Sequence, residues 1–203
     1  MGRNPARNQQ VKEARREQIL SAALHLFAAK GLFATRISDI ATAVGVSQGL
    51  IYRYFASKEE IFTALIRHAF EKMNAACRIL EAMPIPPVEK VKLALERLIE
   101  GLSQSADAAQ YYLLIAQATA SESIPEEAKA VIDGENREPY EVLARIFAEG
   151  QRTGAFRQDP PEILAQLFWT SITGLSIFKA VHNEWFTAPN PEILLRMFVP
   201  EQP

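Results

Sequence analysis

The sequence predicts an all-α protein: a small three-helix head, a long connecting helix and a larger helical body. Three observations carry this. Apolar residues recur at intervals of three and four through almost every segment, the spacing that lines one face of a helix. No stretch alternates apolar and polar residues over strand length, and no internal repeat is present. Glycine, proline and small polar residues punctuate the chain where helices of ordinary length would end. With 203 residues there is chain enough for one or two domains with a real core.

The first helix is read over 15–29. Ile19, Ala23 and Phe27 form a stripe, with Leu20, Leu24 and Leu26 beside it, and Lys30-Gly31 closes it with a basic last turn and a C-terminal glycine. The second helix spans 37–44, with Ile37, Ile40, Ala41 and Val44 inward. Thr35 is its nearest cap candidate and Arg36 a poor one, so the start is fixed to within a residue. Gly45 suits the left-handed conformation that ends this helix and turns the chain, and Val46 plugs the turn. Ser47 caps a third helix over 48–54. Ile51 and Phe55 lie four apart and form one small docking face, which leaves Gln48, Gly49, Tyr52 and Arg53 pointing away. Ser57-Lys58-Glu59-Glu60 is a capping box, and two stripes, Ile61/Leu65/Ala69 and Phe62/Ile66/Phe70, carry the fourth helix to about residue 81. MPIPP at 83–87 must end it, because proline removes donors and fixes φ. Further helices follow at about 88–103, 109–120, 126–152, 162–182 and 191–198. Gly134 and Pro139 make 126–152 either kinked or double, and GAFRQDPP at 154–161 is a turn.

Charge divides the chain. Residues 1–58 carry a net +6 and the remaining 145 a net -8, within a total of -2. Local scatter is one reading; the other is a head that meets a polyanion on an acidic body that does not. The single Cys77 excludes an intrachain disulfide and a cysteine zinc site, and reads as packing. His25, His68 and His182 are scattered without metal-ligand spacing, and no nucleophile elbow, phosphate loop or dinucleotide fingerprint is present. No catalytic residue, metal or cofactor is therefore expected, and the chain is not read as an enzyme. The N-terminal MGRNPARNQQVKEARREQ lacks an apolar core, Ala6 stands where myristoylation wants Ser or Thr, and no apolar run approaches the ~18 residues of a membrane span. A cytoplasmic protein with no membrane partner is expected.

A three-helix head with a glycine turn between its second and third helices is a helix-turn-helix, here about 36–55, whose last helix enters the DNA major groove. Such a helix needs one docking face and one DNA face. This accounts for a segment so poor in core residues and so rich in large polar ones. Gly49 permits close backbone approach, and the early amides favour anions.

The run GLFATRISDIATAVGVSQGLIYRYFASKEEIF, residues 31–62, resembles the DNA-binding domain of TetR-family transcriptional regulators, with Gly31, Phe33, Ala34, Thr35, Ile40, Ala41, Gly45, Val46, Ser47, Gly49, Tyr52, Tyr54, Phe55, Ser57 and Lys58 in register. The resemblance implies phosphate contacts from Thr35, Ser47, Tyr52, Tyr54 and Lys58 and base contacts from Gln48 and Gly49. Arg36, Leu50 and Arg53 complete the expected DNA-facing set. Lysine is common in the family where Gln48 stands, threonine where Leu50 stands, and histidine near Arg53 and Tyr54. Gln48 suits adenine, Leu50 a thymine methyl, and Arg53 guanine or phosphate. Arg3, Arg7 and Lys12 form a basic tail with a possible auxiliary role on DNA or none.

The resemblance further implies a division into a DNA-binding domain at 1–57 and a helical effector-binding and dimerisation domain at 58–203, with 58–81 as connector. A small hydrophobic effector is the implied partner beside double-stranded operator DNA. Its pocket is expected within the fifth to eighth helices, lined by Tyr111, Tyr112, Gln117, Phe147, Phe168, Trp169 and His182, although each also reads as plain core. A homodimer is expected through Leu167, Trp169, Ile172, Gly174, Leu175 and Phe178. A two-fold dimer would match a palindromic operator. A repressor released by its effector is the family default. An activator, a co-repressor-dependent regulator, and an interaction protein whose helix-turn-helix does not bind DNA remain as alternatives.

Overall fold

The computed structural model describes residues 5–200, with side chains described from residue 9 onward. Its helices are α1 Pro5–Ala34, α2 Ile37–Val44, α3 Gln48–Tyr52, α4 Lys58–Ala82, α5 Pro87–Gln104, α6 Ala106–Thr119, α7 Glu126–Glu135, α8 Glu138–Arg152, α9 Pro161–Val181 and α10 Pro191–Leu195, with a 3-10 turn at Asn183–Trp185. No strand occurs among the described residues.

The expected elements are present, with shifted ends. α1 starts at Pro5, ten residues before the expected start at residue 15, because nothing between Ala6 and Ala29 breaks a helix. From Gln9 to Gln18 it is largely exposed and laced by Gln9 to Glu13 (2.7 Å) and Arg15 to Gln18 (2.9 Å). Gly31 interrupts it at φ 78°, ψ 165°, a conformation that favours glycine. Arg36, not Thr35, occupies the cap position of α2, and the Asp39 carboxylate accepts the Arg36 backbone N–H at 3.2 Å. Gly45 takes the left-handed conformation at φ 73°, ψ 39°. α3 ends at Tyr52, two residues early, and Arg53 and Tyr54 form the turn into Phe55. The segment 126–152 is two helices, parted at Asn136 and Arg137 with Pro139 in the first turn of α8.

Two apolar cores organise the packing. One joins α1, α2 and α3 to the first half of α4 and runs on into α6 and α7 through Leu114, Ala118, Ala128 and Ile132. The other joins the end of α4 to α5, α8, α9 and α10. No gap between cores therefore marks residue 57; the first core crosses it. Inside the second core Phe147 is fully buried, its ring 4.8 Å from Phe156 and 5.2 Å from Phe198.

α9 corrects one expectation. By length and composition it is apolar enough to cross a membrane, with a mean hydropathy of 1.2 over its best window. The scan for an unbroken apolar run missed it because Thr, Ser and Gly interrupt the helix. Only a third of that window is buried in the protein, so apolar side chains face both ways.

Gly150 on α8 is buried, and a Cβ there would lie 2.4 Å from the Phe156 ring and 3.1 Å from Pro87 Cβ. Phe156 is held by Phe147 and cannot retreat cheaply. The helix gain of about 1 kcal/mol from Gly to Ala is therefore expected to lose to overpacking of about 1–3 kcal/mol. Gly150→Ala should melt below the wild type in thermal denaturation; an unchanged or higher Tm would contradict this packing.

Candidate nucleic-acid interface and effector cavity

α3 is five residues long and buries only Ile51. With Phe55 just beyond it, that side chain docks the segment onto α1 and α2. Ser47 caps it, its Oγ accepting the Leu50 N–H at 3.3 Å. Gln48, Gly49 and Arg53 are exposed and Tyr52 is 54% exposed, while Leu50 is half-buried. A Cβ on Gly49 would meet nothing nearer than Ser47 Oγ at 4.0 Å, so its open side faces outward. An open groove of about 440 Å3 runs between α3 and the starts of α2 and α4, lined by Arg36, Ser38, Gln48, Tyr52 and Ser57 among others. The N-termini of α2 and α4 both open on it, and helix N-termini favour anions.

Two residues expected at phosphates have their side-chain donors engaged within the chain. Thr35 is fully buried, and its hydroxyl donates to Gly31 O at 2.8 Å, across the interruption in α1. Lys58 lies beside the groove, but its ammonium donates to Leu32 O, Phe33 O and Thr35 O at 2.8, 3.1 and 3.0 Å. All three donors of the group are engaged. The cation sits at the carbonyl end of α1, where positive charge is favoured, and this offsets its poor place in the first turn of α4. Both residues shape the groove without offering a free donor to it. Tyr54 is half-buried against the head core, and Arg16 lies 5.0 Å over the Phe55 ring. Of the basic tail, Arg3 lies outside the described residues, Arg7 has no described side chain, and Lys12 is exposed.

The body holds a cavity of about 630 Å3 with a predominantly apolar lining. Of the residues proposed for an effector pocket, Tyr111, Tyr112, Phe168 and Trp169 line this cavity, and Gln117, Phe147 and His182 do not. Gln117 is exposed and donates to Ala28 O on α1 at 3.2 Å. Phe147 is consumed by the aromatic core, and His182 is exposed, stacked 5.6 Å from Trp185. The wall that sequence reasoning missed is α4 itself, through Met73, Ala76, Cys77 and Leu80, with Met83 just past its end and Leu93, Ala94 and Leu98 of α5 opposite. The signal was present: these α4 residues form an apolar stripe that continues past Phe70, where the head core no longer needs one. Burial, reinforced by the charge of Glu138, pushes the Cys77 thiol up to about 12, so it packs as a neutral group. Burial likewise holds Tyr111 up at about 12 and raises Tyr112 further.

On its far side α4 carries a polar ladder to α7 and α8. Arg67 pairs with Glu127 (2.7 Å), Arg78 with Glu138 (2.7 Å) and Glu81 with Arg145 (2.6 Å). Between them the buried Asn74 donates to the Glu135 carboxylate at 2.6 Å. The exposed pairs add little stability; their effect is to fix the register of one helix on another. The Arg145 hydrogen bond lowers the pKa of Glu81, keeping it charged. α6, another cavity wall, reaches the head separately through His25 and Asp107 at 2.7 Å.

The expected dimer residues divide by face. Trp169 and Ile172 are buried in the chain's own core, and Trp169 Nε1 donates to Pro139 O at 3.0 Å. Leu175 is half-buried. Leu167 (42% exposed), Gly174 and Phe178 (45%) lie on the outer face, and Ile163 and Val181 extend it.

Residues 19–65 match the family described as bacterial regulatory proteins, tetR family. The chain is 28% identical over 155 residues to the HTH-type transcriptional repressor KstR2 of Rhodococcus jostii, covering 76% of this chain and 74% of that protein. In fold it resembles the ketosteroid transcriptional regulator KstR2 of Mycobacterium tuberculosis, with a TM-score of 0.73 at 23% identity over 92% of this chain and 96% of that one. It also resembles AibR in complex with isovaleryl coenzyme A and operator DNA, with a TM-score of 0.67 at 19% identity over 90% and 95%. With an outward-facing α3, residues 19–65 form a TetR-family DNA-binding head, and the all-helical body completes the fold of TetR-family transcriptional regulators.

Proposed function

We propose that the protein is a cytoplasmic homodimeric repressor that reads its operator with α3 and leaves it when a small apolar effector fills the cavity beside α4. The single observation that carries this is α3: five residues, one of them buried and Leu50 half-buried, with Gln48, Gly49 and Tyr52, and Arg53 just beyond, presented outward. On DNA, Gln48 reads an adenine edge, Leu50 meets a thymine methyl, Arg53 reads guanine or binds phosphate, and Tyr52 and Ser47 hold phosphates. Arg36 faces the backbone from the start of α2.

The outer face of α9 is the dimer surface in this reading. Ile163, Leu167, Gly174, Phe178 and Val181 recur at intervals of four, seven, four and three residues, as on a helix packed against a second copy. That second copy covers the face that makes α9 so apolar for its share of buried surface.

Effector action follows from α4 having the cavity on one side and the ladder on the other. A ligand that wedges against Met73, Ala76 and Leu80 pushes α4 toward α7 and α8. Since α4 also carries the head core, the displacement changes the separation of the two heads. The ligand must favour the displaced state, or nothing shifts.

Four outcomes test this reading. In fluorescence anisotropy on its own upstream DNA, binding should weaken steeply as salt rises. Gln48→Ala should cost about 1–3 kcal/mol on the operator and relax discrimination at one base pair. Equal affinity for operator and scrambled DNA at every salt concentration, with no enrichment from a random pool, would sink the DNA-reading claim. Leu167→Glu with Phe178→Glu should convert a dimer to a folded monomer in analytical ultracentrifugation; a persistent dimer would place the interface elsewhere. Removing Arg78 and Arg145 together (both to Ala) should loosen α4. Operator affinity should fall by roughly three- to tenfold, as expected for about 1 kcal/mol. Unchanged affinity and unchanged effector sensitivity would show the ladder to be idle.

A further inference from the structure

The cavity's charge is opposite to that of the domain that contains it. Residues 59–203 carry a net -8, yet no aspartate or glutamate lines the cavity, and its only ionisable side chains besides Cys77 and the two tyrosines are His68, Lys72 and Arg97. Their places are not random. The deep end is closed by the buried Cys77, Leu80, Leu143, Phe168 and Trp169. Lys72 and Arg97 are exposed, as are Ala76 and Ile79, so the mouth opens between α4 and α5 with a basic side chain on each helix. Lys72 pairs with no carboxylate among the described residues. Arg97 shares one N–H with Glu100 at 3.2 Å, a 73%-exposed pairing of little strength that leaves its other donors available. The nearest acid on the α6 side, Asp107, is taken up by His25. Tyr111 and Tyr112 stay protonated far above neutral pH, so their hydroxyls can donate to an anion.

We propose that the cavity selects an amphiphile: an apolar body against Leu143, Phe168 and Trp169, and an anionic head at the mouth between Lys72 and Arg97, with His68 beside it. This rests on the reading of the cavity as the effector site and adds the ligand's charge to it. Apolar contact drives entry, and a cavity of about 630 Å3 holds a drug-sized molecule. The paired cations supply selection by sign: an anion gains charge-assisted hydrogen bonds there, and an amine meets like charge. The head chemistry is common to a free carboxylate and to the phosphates of a long-chain thioester, and the probes separate the two.

Trp169 lines the cavity and reports on its occupancy, once the 75%-exposed Trp185 is silenced as Trp185→Phe. Quenching of Trp169 would be titrated with dodecanoate, cholate, dodecanoyl-coenzyme A, methyl dodecanoate and dodecylamine. At least one acid is expected to bind saturably and more tightly than the ester, with the amine weakest. Tightest binding by dodecanoate or cholate assigns the head to a carboxylate, and by the thioester to phosphate. Lys72→Ala with Arg97→Ala should weaken the best acid on the order of tenfold or more while leaving the methyl ester unchanged. Both residues are exposed, and circular dichroism with thermal melting confirms that the variant folds. Ester or amine binding as tightly as the acids overturns the proposal, as do an unchanged affinity in the double variant and a failure of every acid to saturate. A neutral molecule that fills the cavity and releases operator DNA would overturn the head-group assignment and leave the effector reading standing. An acid that binds as described without releasing DNA would support the assignment and remove the effector reading.

Discussion

One helix belongs to two cores, and everything else in this protein depends on that. Ile61, Phe62, Leu65, Ile66 and Phe70 of α4 are buried with the head; Cys77 and Leu80 are buried with the body; Met73 touches both. Neither core is complete without α4, so the head cannot move relative to the body while α4 stays still. A rigid element shared by two packed interiors transmits displacement because interiors resist compression. The same helix is anchored at its ends by backbone-capping lysines: Lys58 holds three carbonyls at the end of α1, and the buried Lys90 donates to Glu81 O at 2.7 Å at the end of α4 itself.

The distribution of polar groups follows the same logic. Ion pairs between α4 and the body lie on its solvent side, where they cost little to make and little to break. The cavity side is apolar, where contact area sets the energy. A helix held tightly on both sides would be a strut; one held by exposed pairs on one side and an open cavity on the other is, in the proposed function, the element that a ligand biases. α6 supplies a second link between cavity and head through Asp107 with His25 and Gln117 with Ala28 O, so α1 and α4 are both in contact with the cavity walls.

Much of this was legible in the residues. The glycine at 45, the caps at Ser47 and Ser57 and the pair Ile51/Phe55 specify the helix-turn-helix locally, since each acts through backbone conformation or a spacing of four. What was not legible depended on contacts distant in sequence. Nothing near Lys58 in sequence foretells that the end of α1 and Thr35 bring three carbonyls to it from 23 to 26 residues away. Thr35, read as a cap candidate and a phosphate contact, is buried with its hydroxyl donating to Gly31 O. Trp169 and Ile172 share α9 with the exposed Leu167 and Phe178. A helix that is apolar all round gives no sequence signal for which face its own chain will cover. The cavity wall on α4 was hidden for a related reason: one continuous apolar stripe serves the core at one end and a void at the other.

The most direct test of α4 as the shared element is the distance between the two heads of the proposed dimer. Spin labels at an exposed head position, Ala43→Cys in a Cys77→Ser background, would report it by pulsed dipolar spectroscopy. The measurement would compare free protein, operator-bound protein, and the variant lacking both Arg78 and Arg145. The account requires a narrow distance distribution on the operator and a broadened or displaced one when the α4 ladder is cut, with the heads themselves still folded. Identical distributions in the cut and intact proteins, free and on DNA, would contradict it and place the link between body and heads outside α4.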